Sequence, residues 1–180
     1  MEKVQLFDKT FKLYIPQQEI EASIDRVAAE LEKDNEGRDD IPILLCVLNG
    51  SIMFTSEIMK RVHFPCQIVS IKLTSYTGTT STGQVVVTSG LSASVEGRRV
   101  YIMEDIVDTG TTLMALKDLL REKGATEIKV CTMLFKEEAY QHDDPIDFAA
   151  IRIENKFIVG YGLDYDEIGR NLADIYILDQ

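Results

Sequence analysis

The sequence predicts an α/β fold with a mainly parallel sheet, on two observations. Residues 42–48 (P-I-L-L-C-V-L) form a continuous apolar run, as expected of a strand buried on both faces. Further strand-like runs alternate along the chain with segments of helical apolar spacing, which is the pattern of a sheet built through helical crossovers. The chain has 180 residues, enough for one domain with a sizeable core and short for two. No internal repeat or low-complexity tract divides it.

Taken in order, residues 17–33 carry Ile20, Ile24, Val27, Ala28 and Leu31 at helical spacing, and Pro16 suits the first turn. A polar, glycine-containing loop at 34–40 leads to the strand at 42–48. A helix is expected at 52–62 and a strand at 67–73. Residues 74–83 (T-S-Y-T-G-T-T-S-T-G) cannot build a core, and their glycines and hydroxyls favour a mobile loop. Strands follow at 84–88 and 99–103, then a helix at 112–123 that Gly124 ends. The next strand is 128–135, and the runs 148–153, 157–159 and 175–178 close the chain. In such sheets ligands sit beyond the carboxyl ends of the strands, so chemistry is expected after Leu48, Met103 and Phe135.

Composition excludes several classes. Thirty acids against 19 bases give a net charge of −11, which opposes general adhesion to nucleic acid or anionic membrane. No apolar run approaches the roughly 20 residues of a membrane-spanning helix. Residues 1–5 lack the apolar core of a signal peptide, so a cytoplasmic protein is expected. Cys46, Cys66 and Cys131 show no C-x-x-C spacing, and His63 and His142 are isolated. They read as buried hydrophobes and solitary side chains, not as a zinc site.

Residues 100–112 (V-Y-I-M-E-D-I-V-D-T-G-T-T) are the most informative. An apolar strand runs into three carboxylates, then a glycine and hydroxyls, then a helix. Thr109, Gly110, Thr111 and Thr112 fall at the helix N-terminus, where free N–H groups and the helix dipole favour an anion such as phosphate. Glu104 and Asp105 can hold a sugar diol or the shell of a divalent cation. Asp108 can act as a base. An acidic N-cap with solvated neighbours would account for Asp108 alone. It does not explain acids following a buried strand or the hydroxyls that come next.

This stretch resembles the phosphoribosyl pyrophosphate (PRPP) motif of type I phosphoribosyltransferases, and no Walker P-loop occurs. Residues 47–54 (V-L-N-G-S-I-M-F) resemble the pyrophosphate loop of the hypoxanthine phosphoribosyltransferases. Thr74, Ser75 and Tyr76 begin a stretch similar to their mobile catalytic loop, and Lys136 stands where they place a purine-reading lysine. Residues 157–170 (F-I-V-G-Y-G-L-D-Y-D-E-I-G-R) match their C-terminal signature. The resemblance runs in order from about 42 to 178. Two positions depart from it: Asn49 stands where many relatives carry lysine, and Glu137-Glu138 replaces a more basic or proline-containing stretch.

The resemblance implies one domain over residues 1–180, with a mainly parallel sheet flanked by helices. It adds a small hood from both chain ends and a mobile loop at about 74–83. It implies purine salvage: Mg²⁺-dependent transfer of a phosphoribosyl group from PRPP to hypoxanthine or guanine, giving IMP or GMP and pyrophosphate. Asp108 would accept the purine proton. Glu104, Asp105, Asp108, Thr109, Gly110, Thr111 and Thr112 would bind PRPP. Asn49, Gly50, Ser75, Tyr76 and Arg170 would bind pyrophosphate, and Lys136, Phe157, Ile158 and Asp164 the purine side. Glu104, Asp105 and Asp164 would serve Mg²⁺. A homodimer or homotetramer is implied, with no nucleic-acid or membrane partner.

Lys136 donating to a 6-oxo group would reject adenine, which presents a donor there. A transferase for xanthine or uracil also fits the PRPP motif. A PRPP-sensing regulator of nucleic acid would need a basic face or an added domain, against a net charge of −11. A binding protein without catalysis would have no use for Asp108.

Overall fold

The computed structural model describes residues 2–75 and 85–179, with backbone alone for 74, 75 and 85–88. Strands β1 (Lys3–Leu6) and β2 (Lys9–Ile15) precede helix α1 (Gln17–Asn35). Then come β3 (Ile43–Leu48), α2 (Ile52–Arg61), β4 (Gln67–Ser75), β5 (Val85–Ser89) and β6 (Arg99–Val107). Helix α3 (Thr111–Glu122) and β7 (Glu127–Phe135) lead to β8 (Phe148–Arg152), β9 (Ile158–Val159) and β10 (Ile175–Leu178).

The larger sheet has the order β5-β4-β3-β6-β7-β8. Its strands β4, β3, β6, β7 and β8 run parallel, and β5 closes one edge antiparallel to β4. The central strand β3 is fully apolar and buried almost throughout, as its sequence requires. Helices cover both faces. Ile20, Ile24, Val27, Ala28 and Leu31 of α1 pack with Phe54 and Ile58 of α2 on one side. Leu113, Leu116 and Leu120 of α3 pack with Val100, Ile102 and Val130 on the other. The apolar stripe read for α1 is thus its buried stripe. Pro16 lies one position earlier than expected, as the extended N-cap. No helix among the described residues is long and apolar enough to cross a membrane.

A second sheet, β1-β2-β10-β9, is antiparallel and joins the two ends of the chain. Strands β1 and β2 are additions to the sequence reading, which left residues 2–15 unassigned. Phe11, Val159 and Tyr176 form its small core. Residues 76–84, which include Tyr76 and most of the expected mobile loop, lie outside the described residues. The backbone of Thr74 and Ser75 ends β4, opposite Val86 and Val85.

Candidate active site

Three parallel strands end at one place, and their next residues build the site. Strand β6 runs four residues past its expected end at Met103. Its ladder with β7 continues through Glu104↔Thr132, Ile106↔Leu134 and Val107↔Phe135, so the acid pair is held as strand. Carboxylates are poor strand formers, and the non-local ladder overrides that preference.

Glu104 is buried and Asp105 partly so. Burial and the neighbouring Asp105 push the Glu104 carboxyl well above the usual carboxylate range. Burial pushes Asp105 up to about 6, against the Ile106 N–H that donates to it at 2.8 Å and the charge of Arg170. Asp164 raises it further. Two desolvated acids side by side are held in a state that a cation or a diol would relieve.

Beyond Val107 the chain turns through Asp108, Thr109 and Gly110 into α3. Gly110 has φ 86°, is the N-cap of α3, and no side chain caps that helix. The αL conformation asks for glycine, and the uncapped first turn leaves N–H donors for an anion. A pocket of about 120 Å³ opens there, between Glu104, Ile106 and residues 107–113. The Thr109 and Thr111 hydroxyls lie 3.3 Å apart. Asp108 caps nothing, which removes the bland explanation for it.

Lys136 follows β7 directly, and its N–H donates to the carbonyl of Val107 at 2.9 Å. Its ammonium donates to Asp108 Oδ2 at 2.8 Å and to Asn155 Oδ1 at 3.2 Å. The lysine side chain is 10% exposed and that of Asp108 is 46%, so Asp108 keeps an open side. Sequence reasoning passed over Asn155, whose only signal was its place just before Lys156 and Phe157.

Phe157 is 47% exposed although Ile158 beside it is buried. Its ring lies 6.0 Å from Phe11 and 6.0 Å from Tyr165, edge-on to the latter. An exposed ring braced by two others leaves a face open to solvent where a flat ligand could stack. Ile158 pairs with Ile177 of β10.

The loop after β3 completes the site. The Leu48–Asn49 peptide is cis, and Asn49 is partly buried. A Cβ on Gly50 would stand 1.6 Å from Asp105 Oδ2, and one on Gly162 would stand 2.1 Å from the carbonyl oxygen of Gly50. These contacts bring together segments that the sequence separates by more than 50 residues. Arg170 donates to the carbonyl of Gly162 at 2.9 Å and pairs with Asp164 at 2.7 Å. Asp164 also accepts from the N–H of Glu167. Among the described residues, no three His, Cys, Asp or Glu side chains converge closely enough to hold a metal by themselves. The side chain of Ser75 and all of Tyr76 lie outside the described residues.

The phosphoribosyl transferase domain family matches residues 14–166. The hypoxanthine-guanine-xanthine phosphoribosyltransferase of Tritrichomonas foetus is 34% identical over 100% of this chain and 98% of its own length. The hypoxanthine-guanine phosphoribosyltransferase of Streptococcus thermophilus is 35% identical over 94% and 93%. Among solved structures, the Staphylococcus aureus hypoxanthine phosphoribosyltransferase superposes with TM-score 0.86 at 34% identity, covering 93% of this chain and 91% of that one.

Proposed function

This chain belongs to the phosphoribosyl transferase family, with hypoxanthine-guanine phosphoribosyltransferases as its relatives, and we propose that it transfers the phosphoribosyl group of PRPP to hypoxanthine and guanine. The products are IMP or GMP and pyrophosphate. The observation that carries the reading is the Lys136–Asp108 contact beside the uncapped N-terminus of α3. It sets a 6-oxo reader, a base and a phosphate seat within one constellation. The test is an assay of the protein with PRPP, Mg²⁺ and a panel of hypoxanthine, guanine, xanthine, adenine and uracil. Nucleotide formation from the first two and none from adenine or uracil is expected; the reverse preference rejects the reading.

The N–H groups and hydroxyls of Thr109, Gly110, Thr111 and Thr112 hold the ribose 5′-phosphate. Glu104 and Asp105 accept from the ribose hydroxyls. Their oxygen-only donor set and unrelieved burial suit Mg²⁺, with Asp164 as a third carboxylate on the purine side. These side chains do not form a closed cage, so they would hold the ion together with substrate oxygens. A Mg²⁺ held by Glu104, Asp105 and Asp164 would supply positive charge against the pyrophosphate leaving group.

Phe157 stacks on the purine, and the Ile158 backbone contacts its edge. Lys136 donates to the 6-oxo group, and Asp108 takes the proton from the ring nitrogen that forms the new bond. Asn49 and Gly50, with Arg170, Ser75 and Tyr76, receive pyrophosphate. The antiparallel sheet of the chain ends acts as the hood of one domain over residues 1–180. The enzyme works in the cytoplasm as a homodimer or homotetramer.

A further inference from the structure

We infer that Tyr140, Asp144 and Lys117 form a brace that positions the phosphate-binding turn from outside the site. The inference rests on the phosphoribosyl-transfer reading and adds positioning residues to it. The turn leans on the loop after β7. A Cβ on Gly110 would lie 2.4 Å from Tyr140 Cε2 and 2.8 Å from His142 Cδ2, so the back of the turn rests on these two rings. The N–H of Gln141 donates to the carbonyl of Thr109 at 3.2 Å, which fixes the turn from the same side.

Tyr140 is itself held in two ways. Its hydroxyl donates to the carbonyl of Asp144 at 2.7 Å. Its ring meets Phe135 edge to face, 5.4 Å between centroids. The Asp144 carboxylate then receives the Lys117 ammonium at 2.9 Å. Lys117 stands on α3, the helix whose N-terminus receives the phosphate, and its side chain is 4% exposed. The circuit thus runs from Gly110 to Tyr140, to Asp144, to Lys117 and back along α3.

An ion pair with a buried lysine and a carboxylate one-third exposed contributes little to net stability, because desolvation of the lysine offsets the attraction. The Lys117–Asp144 pair is therefore better explained by what it fixes. It ties the loop that begins at Lys136 to the helix that carries the phosphate seat. Lys136 is already bonded to Asp108, so the residues proposed to read the purine, take its proton and seat the phosphate belong to one bonded network. Donors aimed before the ligand arrives bind it without an ordering cost at that moment. Loss of the brace should weaken the 5′-phosphate subsite and leave the purine platform at Phe157 as it was.

The test uses Lys117→Met, Tyr140→Leu and Tyr140→Phe in the full chain. Three quantities are read: ribose 5-phosphate affinity by titration calorimetry, the separate KM values for PRPP and hypoxanthine, and Tm. For Lys117→Met and Tyr140→Leu, ribose 5-phosphate affinity should fall about tenfold and KM for PRPP rise in parallel, with KM for hypoxanthine within about twofold. Tm of Lys117→Met should stay near wild type, because Asp144 is left 33% exposed and can be hydrated. Tyr140→Phe keeps the ring behind Gly110 but loses the hydroxyl link to Asp144, so its affinity should fall between those of wild type and Tyr140→Leu. Unchanged ribose 5-phosphate affinity in Lys117→Met overturns the inference, whether or not Tyr140→Leu folds. A loss that merely tracks Tm across the three variants overturns it too. A wild type that binds ribose 5-phosphate but converts no purine refutes the enzymatic reading, while the calorimetry still decides the brace.

Discussion

Lys136 donates to Asp108 across 2.8 Å, joining the residues that directly follow β7 and β6. An ammonium has three N–H donors. One goes to Asp108 and one to Asn155. Among the described residues nothing takes the third, so a purine 6-oxo group could be read without breaking the pair. In the proposed reaction, the same contact would keep Asp108 beside the ring nitrogen that loses its proton.

Lys136→Ala should therefore act on the purine. A lost charge-assisted hydrogen bond is worth about 1.5–3 kcal/mol, or roughly ten- to hundredfold in KM for hypoxanthine. PRPP affinity should change little. Steady-state kinetics with each substrate varied separately checks this; a collapse in PRPP affinity with hypoxanthine KM intact would assign the lysine to the other substrate.

Gly50→Ala should disturb the acid pair. Its new Cβ would stand 1.6 Å from Asp105 Oδ2, so carboxylate or loop must move. Overpacking of this kind costs about 1–3 kcal/mol. Tm should fall and KM for PRPP rise together, with the hypoxanthine platform intact. An unchanged PRPP KM in a folded Gly50→Ala protein would contradict the close packing of the two loops.

Burial gives the site a pH signature. A carboxyl whose pKa is raised on folding contributes stability below its unfolded pKa and loses it as pH rises through the folded one. For Asp105 that window runs from about 4, the ordinary value, up to about 6; Glu104 is shifted in the same direction. A bound cation favours the ionised forms, so Mg²⁺ and PRPP binding at pH 6 should release protons. Titration calorimetry in buffers of different ionisation enthalpy measures this. Proton uptake, or no proton exchange at pH 6, would contradict the buried, unrelieved acids.

Much of this site was legible from local sequence. The buried run at β3 and the apolar stripe of α1 both set their own elements. The acids, glycine and hydroxyls of 104–112 marked the junction from β6 to α3 because each residue type suits a strand end or helix N-terminus. What escaped was non-local. Strand β1 has only four residues and β2 carries a polar face; β2 gains its place by pairing with β10 at the far end of the chain. The alternation of Phe11, Leu13 and Ile15 was its one local signal. The apolar run ends at Met103, so the sequence puts Glu104 and Asp105 at the strand end, whereas the ladder to β7 keeps them inside it. The Lys136–Asp108 and Lys117–Asp144 pairs span 28 and 27 residues and exist only once β7 lies beside β6.

Phe157→Ala should separate binding from folding. The ring is 47% exposed, so its removal should cost little stability. Stacking on a base is worth about 1–3 kcal/mol by alanine substitution. KM for hypoxanthine should rise accordingly, with Tm nearly unchanged, and Phe157→Tyr should restore the affinity. A large drop in Tm without a purine effect would return the ring to a structural role.

The most direct measurement is single-turnover kinetics of Asp108→Asn, with PRPP binding determined separately. Asn keeps the size of Asp and can still receive the Lys136 hydrogen bond, but it cannot accept the purine proton at neutral pH. PRPP should bind nearly as before. The chemical step should slow by roughly 10²–10⁴-fold, and less for purine analogues whose ring proton is more acidic. A variant that binds PRPP normally and turns hypoxanthine over at the wild-type chemical rate would remove Asp108 from the mechanism.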